Sequence, residues 1–205
     1  NWMYETVPQP ALAGRRIYWP RGKTLGGSSA INGMLYVRGN ALDFEQWRQS
    51  GCAGWGYEDV LPYFRKMEDY WGEADRYHGR GGPLKVQKGR PGTPVCTAFL
   101  AAAREAGGTV TEDFNGARQD GFGHFDTTIH KGRRWSTASA YLRPAMDRPN
   151  LSVITHALVT GVKFEGGRAA GVDLVREGRV QTIVADREVI LCGGAINSPQ
   201  LLMLS

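Results

Sequence analysis

Residues 22–33 read GKTLGGSSAING, with adjacent glycines at Gly26 and Gly27 followed at once by Ser28, Ser29 and, three residues on, Asn32. Glycine has no Cβ, so the main chain there can take positive φ and a ligand can approach to backbone contact. Ser28, Ser29 and Asn32 add hydrogen-bonding groups beside that bare backbone, which suits a flat polar ligand. Taken alone, GGSS also reads as a loop that only turns the chain. A second glycine pair, Gly193 and Gly194, follows the apolar run Val189 to Cys192 and precedes Ser198, Pro199 and another apolar stretch. Such a run is expected of a strand buried on both faces of a parallel sheet. Ser198 then reads as a helix N-cap and Pro199 as the first helical residue. Strand, glycine turn and helix start in succession aim unpaired N–H groups at the strand's carboxyl edge, which suits a dinucleotide phosphate. By itself the pattern reads first as a generic strand-to-helix turn.

The elements that must position these loops change character along the chain. Asp43 to Gln49 and Tyr57 to Glu68 read as helices, the second with Leu61, Phe64 and Met67 at three-residue spacing. Pro62 there is tolerated only near the first turn. Pro94 to Ala106 is better punctuated, with Pro94 near its start, Phe99, Ala102, Ala103 and Ala106 on one face and Gly107 past its end. From Leu151 onward the period alternates: LSVIT, VTGVKFE, AAGVDLV, VQTIVA and EVILC are successive strand candidates. Short Glu-Gly-Gly and Glu-Gly turns between them predict an antiparallel meander. Glycine-rich stretches at Gly79 to Gly82 and Gly121 to Gly123 mark loops.

Composition excludes several classes. With 41% hydrophobic and 22% charged residues the chain can bury one or two cores, and no apolar run approaches the roughly 20 residues that span a bilayer. The net charge of +5 is scattered, apart from Arg15 to Arg16 and Lys131 to Arg134. A nucleic-acid surface would need a basic stripe with interleaved aromatics, so the charge reads as a solvated face and no nucleic-acid partner is expected. Cys52, Cys96 and Cys192 are far apart and odd in number, which argues for a reducing, cytoplasmic setting. None forms a CxxC pair, and His78, His124, His130 and His156 lack metal spacing, so no metal site is expected. Each histidine reads as a polar loop or strand-end residue.

Taken together, RRIYWPRGKTLGGSSAINGMLYVRGNALDFEQW at Arg15 to Trp47 and CGGAINSPQLLMLS at Cys192 to Ser205 resemble the two signature regions of the glucose-methanol-choline (GMC) family of flavin oxidoreductases. GWGYEDVLPYFRKME, YHGRGGPLKV, GFGHFD, RRWSTASAYLRP and RPNLSVITHALVTGVKF extend the resemblance over essentially the whole chain, within the bacterial choline and alcohol dehydrogenase branch. The resemblance implies a mixed α/β fold: an N-terminal segment and flavin lid over 1–36, part of a substrate-binding domain over 37–133, and part of an FAD-binding domain with its meander over 134–205. It implies flavin contact for Gly26, Gly27, Ser28, Ser29, Asn32, Gly33 and Met34, a backbone contact with the adenine for Val159, and proximity to the flavin for Gly194 and Ala195. A valine in a strand is otherwise usually core. Relatives that attach FAD covalently place histidine immediately before the signature asparagine; here Ile31 stands there, which implies a noncovalent flavin.

The implied reaction is oxidation of a primary alcohol, a base removing the hydroxyl proton while hydride passes to flavin N5, with electrons going on to a quinone or other acceptor. An oxidase passing electrons to oxygen and a non-catalytic binding module are the alternatives. Choline would need an aromatic and acidic cage, for which Tyr70, Trp71, Glu73, Asp75 and Tyr77 offer the residue types, although an exposed amphipathic loop explains them equally. The GCAGW segment resembles general aliphatic-alcohol members more closely. The family's GxGxxG turn and catalytic histidine region are absent from these residues, so an internal fragment of the family pattern is expected, peripheral to a membrane at most, with exposed sheet edges that favour a homodimer. No catalytic residue can be named. The isolated 205-residue chain with added FAD is therefore expected to show no alcohol-dependent dye reduction and no tight flavin binding; detectable dye reduction contradicts this.

Overall fold

Helix starts and hairpin turns follow local chemistry closely in the computed structural model, which describes residues 1–89 and 92–205. Helix α1 (Ala41–Gln49) opens on a reciprocal cap: Asn40 Oδ1 accepts from Leu42 N at 2.9 Å while Asn40 N donates to Asp43 Oδ2 at 3.1 Å. Helix α2 (Tyr57–Met67) begins with Gly56 N donating to the Asp59 carboxylate at 3.0 Å. Pro62 lies in its second turn, deeper than the first turn expected for it. Phe44 of α1 meets Phe64 of α2 edge-on, with centroids 5.7 Å apart, and this contact packs the two helices. Helix α3 (Pro94–Glu105) ends in a left-handed Gly107, whose N–H reaches Arg104 O while Gly108 N reaches Ala103 O. Both bonds satisfy carbonyls that the helix end would leave open.

The described residues divide into two compact units, Asn1–Arg148 and Pro149–Ser205. The first contains short pairings: β1 (Tyr4–Glu5) with β2 (Tyr18–Trp19), β3 (Leu35–Tyr36) with β6 (Asp126–Thr127), β4 (Glu68–Asp69) in parallel with β5 (Leu84–Lys85), and β7 (Ile129–His130) with β8 (Arg133–Arg134). Lys131 and Gly132, both at positive φ, turn β7 into β8. Two such residues match the right-handed twist of a two-residue hairpin. A short helix α4 (Arg143–Ala145) follows a π-helical segment at Ala138–Leu142.

The second unit is the expected meander. β9 (Ala157–Glu165), β10 (Arg168–Arg176) and β11 (Arg179–Val184) pair antiparallel in the order β11-β10-β9, with Gly166-Gly167 and Glu177-Gly178 at positive φ in the turns. Val162, Ala170 and Leu174 are its buried apolar residues. Two strand expectations fail. Neither 151–155 nor 188–192 forms a strand, because neither finds a neighbouring strand to bond, and Ile190 is 73% exposed instead of buried on both faces. Among the described residues no helix is long and apolar enough to cross a membrane.

What holds the first unit around β3 is a buried ionic network. Arg38 Nη2 meets Glu68 Oε2 at 2.9 Å, with both side chains almost fully buried, and Arg38 Nη1 donates to Tyr77 O at 2.6 Å. Glu68 also meets His78 Nδ1 at 3.2 Å, while His78 Nε2 meets Asp113 at 3.1 Å. Asn115 closes the circuit, accepting from Arg38 N at 2.8 Å and donating to Tyr36 O at 3.0 Å. His78 is thus a core residue, 1% exposed and stacked on Tyr70, and the polar-loop expectation for it is corrected. Its sequence neighbours are loop-like; only the fold surrounds it with carboxylates.

Burial alone would pull the His78 pKa down, but the hydrogen bonds and charges of Asp113 and Glu68 win and raise it from 6.5 to about 9. A raised folded-state pKa means the network's contribution is fully present below about pH 6.5 and is lost as pH rises through about 9. The melting temperature is expected to fall across that window, and a flat profile would contradict the assignment. Glu68→Gln, which leaves two buried cations without their shared carboxylate, is expected to cost about 3–5 kcal/mol in urea denaturation.

Candidate functional site

Within the first unit the glycine loop is built by close backbone approaches. A Cβ on Gly22 would collide with the Gly27 carbonyl, and Gly22 N donates to Ser28 Oγ at 3.1 Å. Gly26 (φ +90) and Gly27 (φ +53) both use the left-handed region, after which Gly27–Ala30 forms a single 3-10 turn. A Cβ on Gly26 would stand 3.2 Å from the Ala138 Cβ and 3.3 Å from Ser136 Oγ. The small buried residues Ala138 and Ala140 therefore admit the loop to the 136–140 segment.

The hydroxyl and amide groups of the loop bond inward. Ser29 Oγ donates to Gly26 O at 2.5 Å and accepts from Thr137 N at 2.9 Å. Thr137 Oγ1 donates to Gly26 O at 3.2 Å. Asn32 Oδ1 accepts from Met34 N at 3.0 Å and from Arg134 Nη1 at 2.8 Å. Met34, at positive φ, is anchored through its carbonyl, which accepts from Thr128 N at 2.9 Å. What the loop leaves open is backbone: nothing lies within 4 Å of a Cβ built on Gly27 or on Gly33. Gly33 requires no special φ.

The structure thus brings Gly26, Gly27, Ser28, Ser29, Asn32, Gly33 and Met34 together on one loop. Arg134 and Thr137, about a hundred residues away in sequence, carry no role in the sequence reading; Lys131 to Arg134 reads there only as a short basic cluster. The Lys-Gly pair between alternating residues was the available signal for the hairpin that places them.

Val159, Gly194 and Ala195 lie in the second unit. Val159 sits in β9 opposite Leu174, beside a register shift that leaves Thr160 as the extra residue of a bulge. Bulges gather next to functional sites, and β9 is an edge strand of the meander. Its Val162 N donates to Ser205 Oγ at 2.8 Å, which ties helix α5 (Gly194–Met203) to that edge. The expected helix start is corrected here. Gly194, at φ +81, turns the chain into α5 four residues before Ser198, and Ser198 Oγ reaches back to accept from Gly193 N at 3.0 Å. Ser198 still closes the helix start, but from inside; Pro199 lies in the second turn. Gly193 leaves little room for a side chain, since a Cβ would be 3.0 Å from the Asn197 Cβ. Gly194 and Ala195 are exposed at the helix N-terminus.

The residues considered for a cation cage have other partners. Tyr70 stacks on His78, Trp71 Nε1 donates to Asp126 at 3.1 Å with Lys88 Nζ 5.3 Å from its ring, and Asp75 accepts from Tyr77 N and His78 N. Glu73 faces Arg80 at 3.6 Å on the surface.

A glycine loop in the first unit, and a meander joined to a glycine turn and helix in the second, define a mixed α/β chain. The sequence matches the GMC oxidoreductase family over residues 6–205. It is 52% identical over all 205 residues to mitochondrial choline dehydrogenase of Mus musculus, covering 34% of that protein, and 51% identical to oxygen-dependent choline dehydrogenase of Sinorhizobium fredii, covering 37%. Among solved structures, pyridoxine 4-oxidase from Mesorbium loti superposes with a TM-score of 0.92 at 36% identity, over 98% of this chain and 40% of that one. An FAD-dependent oxidoreductase from Chaetomium thermophilum does so with a TM-score of 0.92 at 25% identity, over 98% and 37%. This chain belongs to the GMC oxidoreductase family. It spans about a third of the length of the curated relatives it matches.

Of the two loop glycines Gly22 and Gly33, Gly22→Ala is expected to lower the melting temperature more, since its Cβ meets the Gly27 backbone, which cannot move independently. Gly33→Ala is expected to leave it within about 2 °C, as no strain or clash opposes it. Differential scanning calorimetry of both variants checks the order; a larger loss at Gly33 would contradict the geometry.

Proposed function

We propose that this chain supplies the flavin lid and part of the FAD-binding and substrate domains of an FAD-dependent dehydrogenase oxidising a primary alcohol, choline being the first candidate. The observation that carries this is the open space beside the Gly27 and Gly33 backbone, which leaves room for a planar ring to approach main chain. Gly26 to Met34 would cover the flavin, Val159 would meet the adenine by its main chain, and Gly194 and Ala195 at the α5 N-terminus would lie near the ring and phosphates. The division into 1–36, 37–133 and 134–205 belongs to the same proposal. Bound FAD supplies an acceptor for hydride from the carbinol carbon. Ile31, before Asn32, has no nucleophilic nitrogen, so attachment would be noncovalent.

His78 is excluded as the base, because both ring nitrogens are committed to carboxylates that keep it protonated. Choline is favoured over aliphatic alcohols by identities above 50% to choline dehydrogenases. A quinone or similar acceptor is proposed for the electrons; the likeness to pyridoxine 4-oxidase keeps an oxygen-using oxidase as the second reading. The open edge of β11, exposed along its length, supports self-association, and a cytoplasmic or membrane-peripheral setting completes the proposal.

The complete gene product, purified with its flavin, is expected to reduce a dye acceptor with choline faster than with linear or aromatic alcohols and to form little peroxide. Gly33→Val is expected to raise the FAD dissociation constant about tenfold, about 1.4 kcal/mol, with the melting temperature nearly unchanged. Unaltered FAD affinity in that variant would remove the lid from the cofactor site.

A further inference from the structure

Arg134 stands at the end of the β7–β8 hairpin with one guanidinium nitrogen inside the curve of the glycine loop. Its Nη1 donates to Asn32 O at 2.6 Å, Asn32 Oδ1 at 2.8 Å and Ser29 O at 3.3 Å. Among the described residues no carboxylate lies within ion-pair distance of it, so its charge is spent on neutral oxygens of the loop. Thr137, three residues on, adds its N–H to Ser29 Oγ and its hydroxyl to Gly26 O. Carbonyls from three points of the loop, Gly26, Ser29 and Asn32, are thereby drawn toward one short segment.

The hairpin that delivers these groups is itself fastened to the loop's far end. Trp135 N donates to Thr128 O at 2.8 Å, Thr128 N donates to Met34 O at 2.9 Å, and Trp135 Nε1 donates to Pro83 O at 2.8 Å. The clamp is thus rigid on its own side. The loop it holds contains no buried residue.

We propose that Arg134, assisted by Thr137, is the positioning residue of the lid: by holding the carbonyls of Ser29 and Asn32 it keeps the bare Gly27 and Gly33 backbone turned outward toward the cofactor. The assignment rests on the flavoprotein reading above and goes beyond it by naming the side chain on which the pose of the lid depends. Arg134 acts through the loop and touches no reacting atom. A charge-assisted hydrogen bond is about twice as strong as a neutral one, so a single arginine suffices to fix a loop that has no apolar anchor.

The test uses the complete protein with Arg134→Met, which keeps length without donors, Arg134→Lys, which restores a charged donor, and Thr137→Val at an exposed position. The Met variant is expected to bind FAD roughly 10- to 100-fold more weakly, the equilibrium equivalent of losing a charge-assisted hydrogen bond, with Lys recovering part of the loss and Val losing less. In the apoprotein, trypsin is expected to cut after the exposed Lys23 several-fold faster in the Met variant, a readout that needs no flavin. Wild-type FAD affinity and wild-type cleavage in Arg134→Met overturn the clamp while leaving the flavoprotein proposal standing. A wild-type protein that binds no FAD sinks that earlier proposal, and the cleavage rates then still decide whether Arg134 holds the loop. If Arg134→Met does not fold, unchanged FAD binding and cleavage in Thr137→Val overturn the proposal.

Discussion

The geometry of the candidate site depends on where the glycine loop sends its carbonyls. A loop of Gly, Ser and Asn buries almost no apolar surface, so hydrophobic packing cannot define its shape. Its form comes from directed bonds: Gly26 O to Ser29 and Thr137, Ser29 O and Asn32 O to Arg134, and Met34 O to Thr128. With these acceptors turned to the 128–138 segment, the backbone at Gly27 and Gly33 keeps open space beside it. The glycines are required for two different reasons. Gly22 and Gly26 give room for backbone to approach protein, whereas Gly27 and Gly33 leave space that protein does not fill.

Behind the loop, the ionic network of Arg38, Glu68, His78 and Asp113 supplies rigidity of another kind. The charges of Arg38, Glu68 and His78 are deeply buried and unfavourable to desolvate, and they persist because each has a partner of opposite sign. The network links residues far apart in sequence, so it locks register among segments that share little hydrogen-bonded sheet. Its place two residues beyond β3, which begins immediately after Met34, connects the stability of the unit to the base of the loop.

Much of the local structure was legible from the residues. The three hairpin turns carry Gly at positive φ, and two of them, Gly166-Gly167 and Glu177-Gly178, were readable as a meander because alternating apolar residues flank them. Helices α1, α2 and α3 lie within a few residues of expectation because their caps are local. Less legible were 151–155 and 188–192, where an apolar run signals burial but a strand also needs a partner ladder. Ser198-Pro199 misled in a similar way. Their types suit a helix start, yet Gly194 began the helix first and Ser198 capped it from within.

By itself the sequence determined local structure and, through its resemblance to the GMC family, the class of the chain: turns, helix starts and the meander depend on backbone freedom and periodicity that each residue carries with it. Only the tertiary structure decided what the side chains do. His78 reads as a loop residue until Glu68 and Asp113 close around it, and Arg134 reads as surface charge until the β7–β8 hairpin swings it under Asn32. Both depend on contacts between segments tens of residues apart or more, and long-range electrostatic partners leave no periodic trace in the chain.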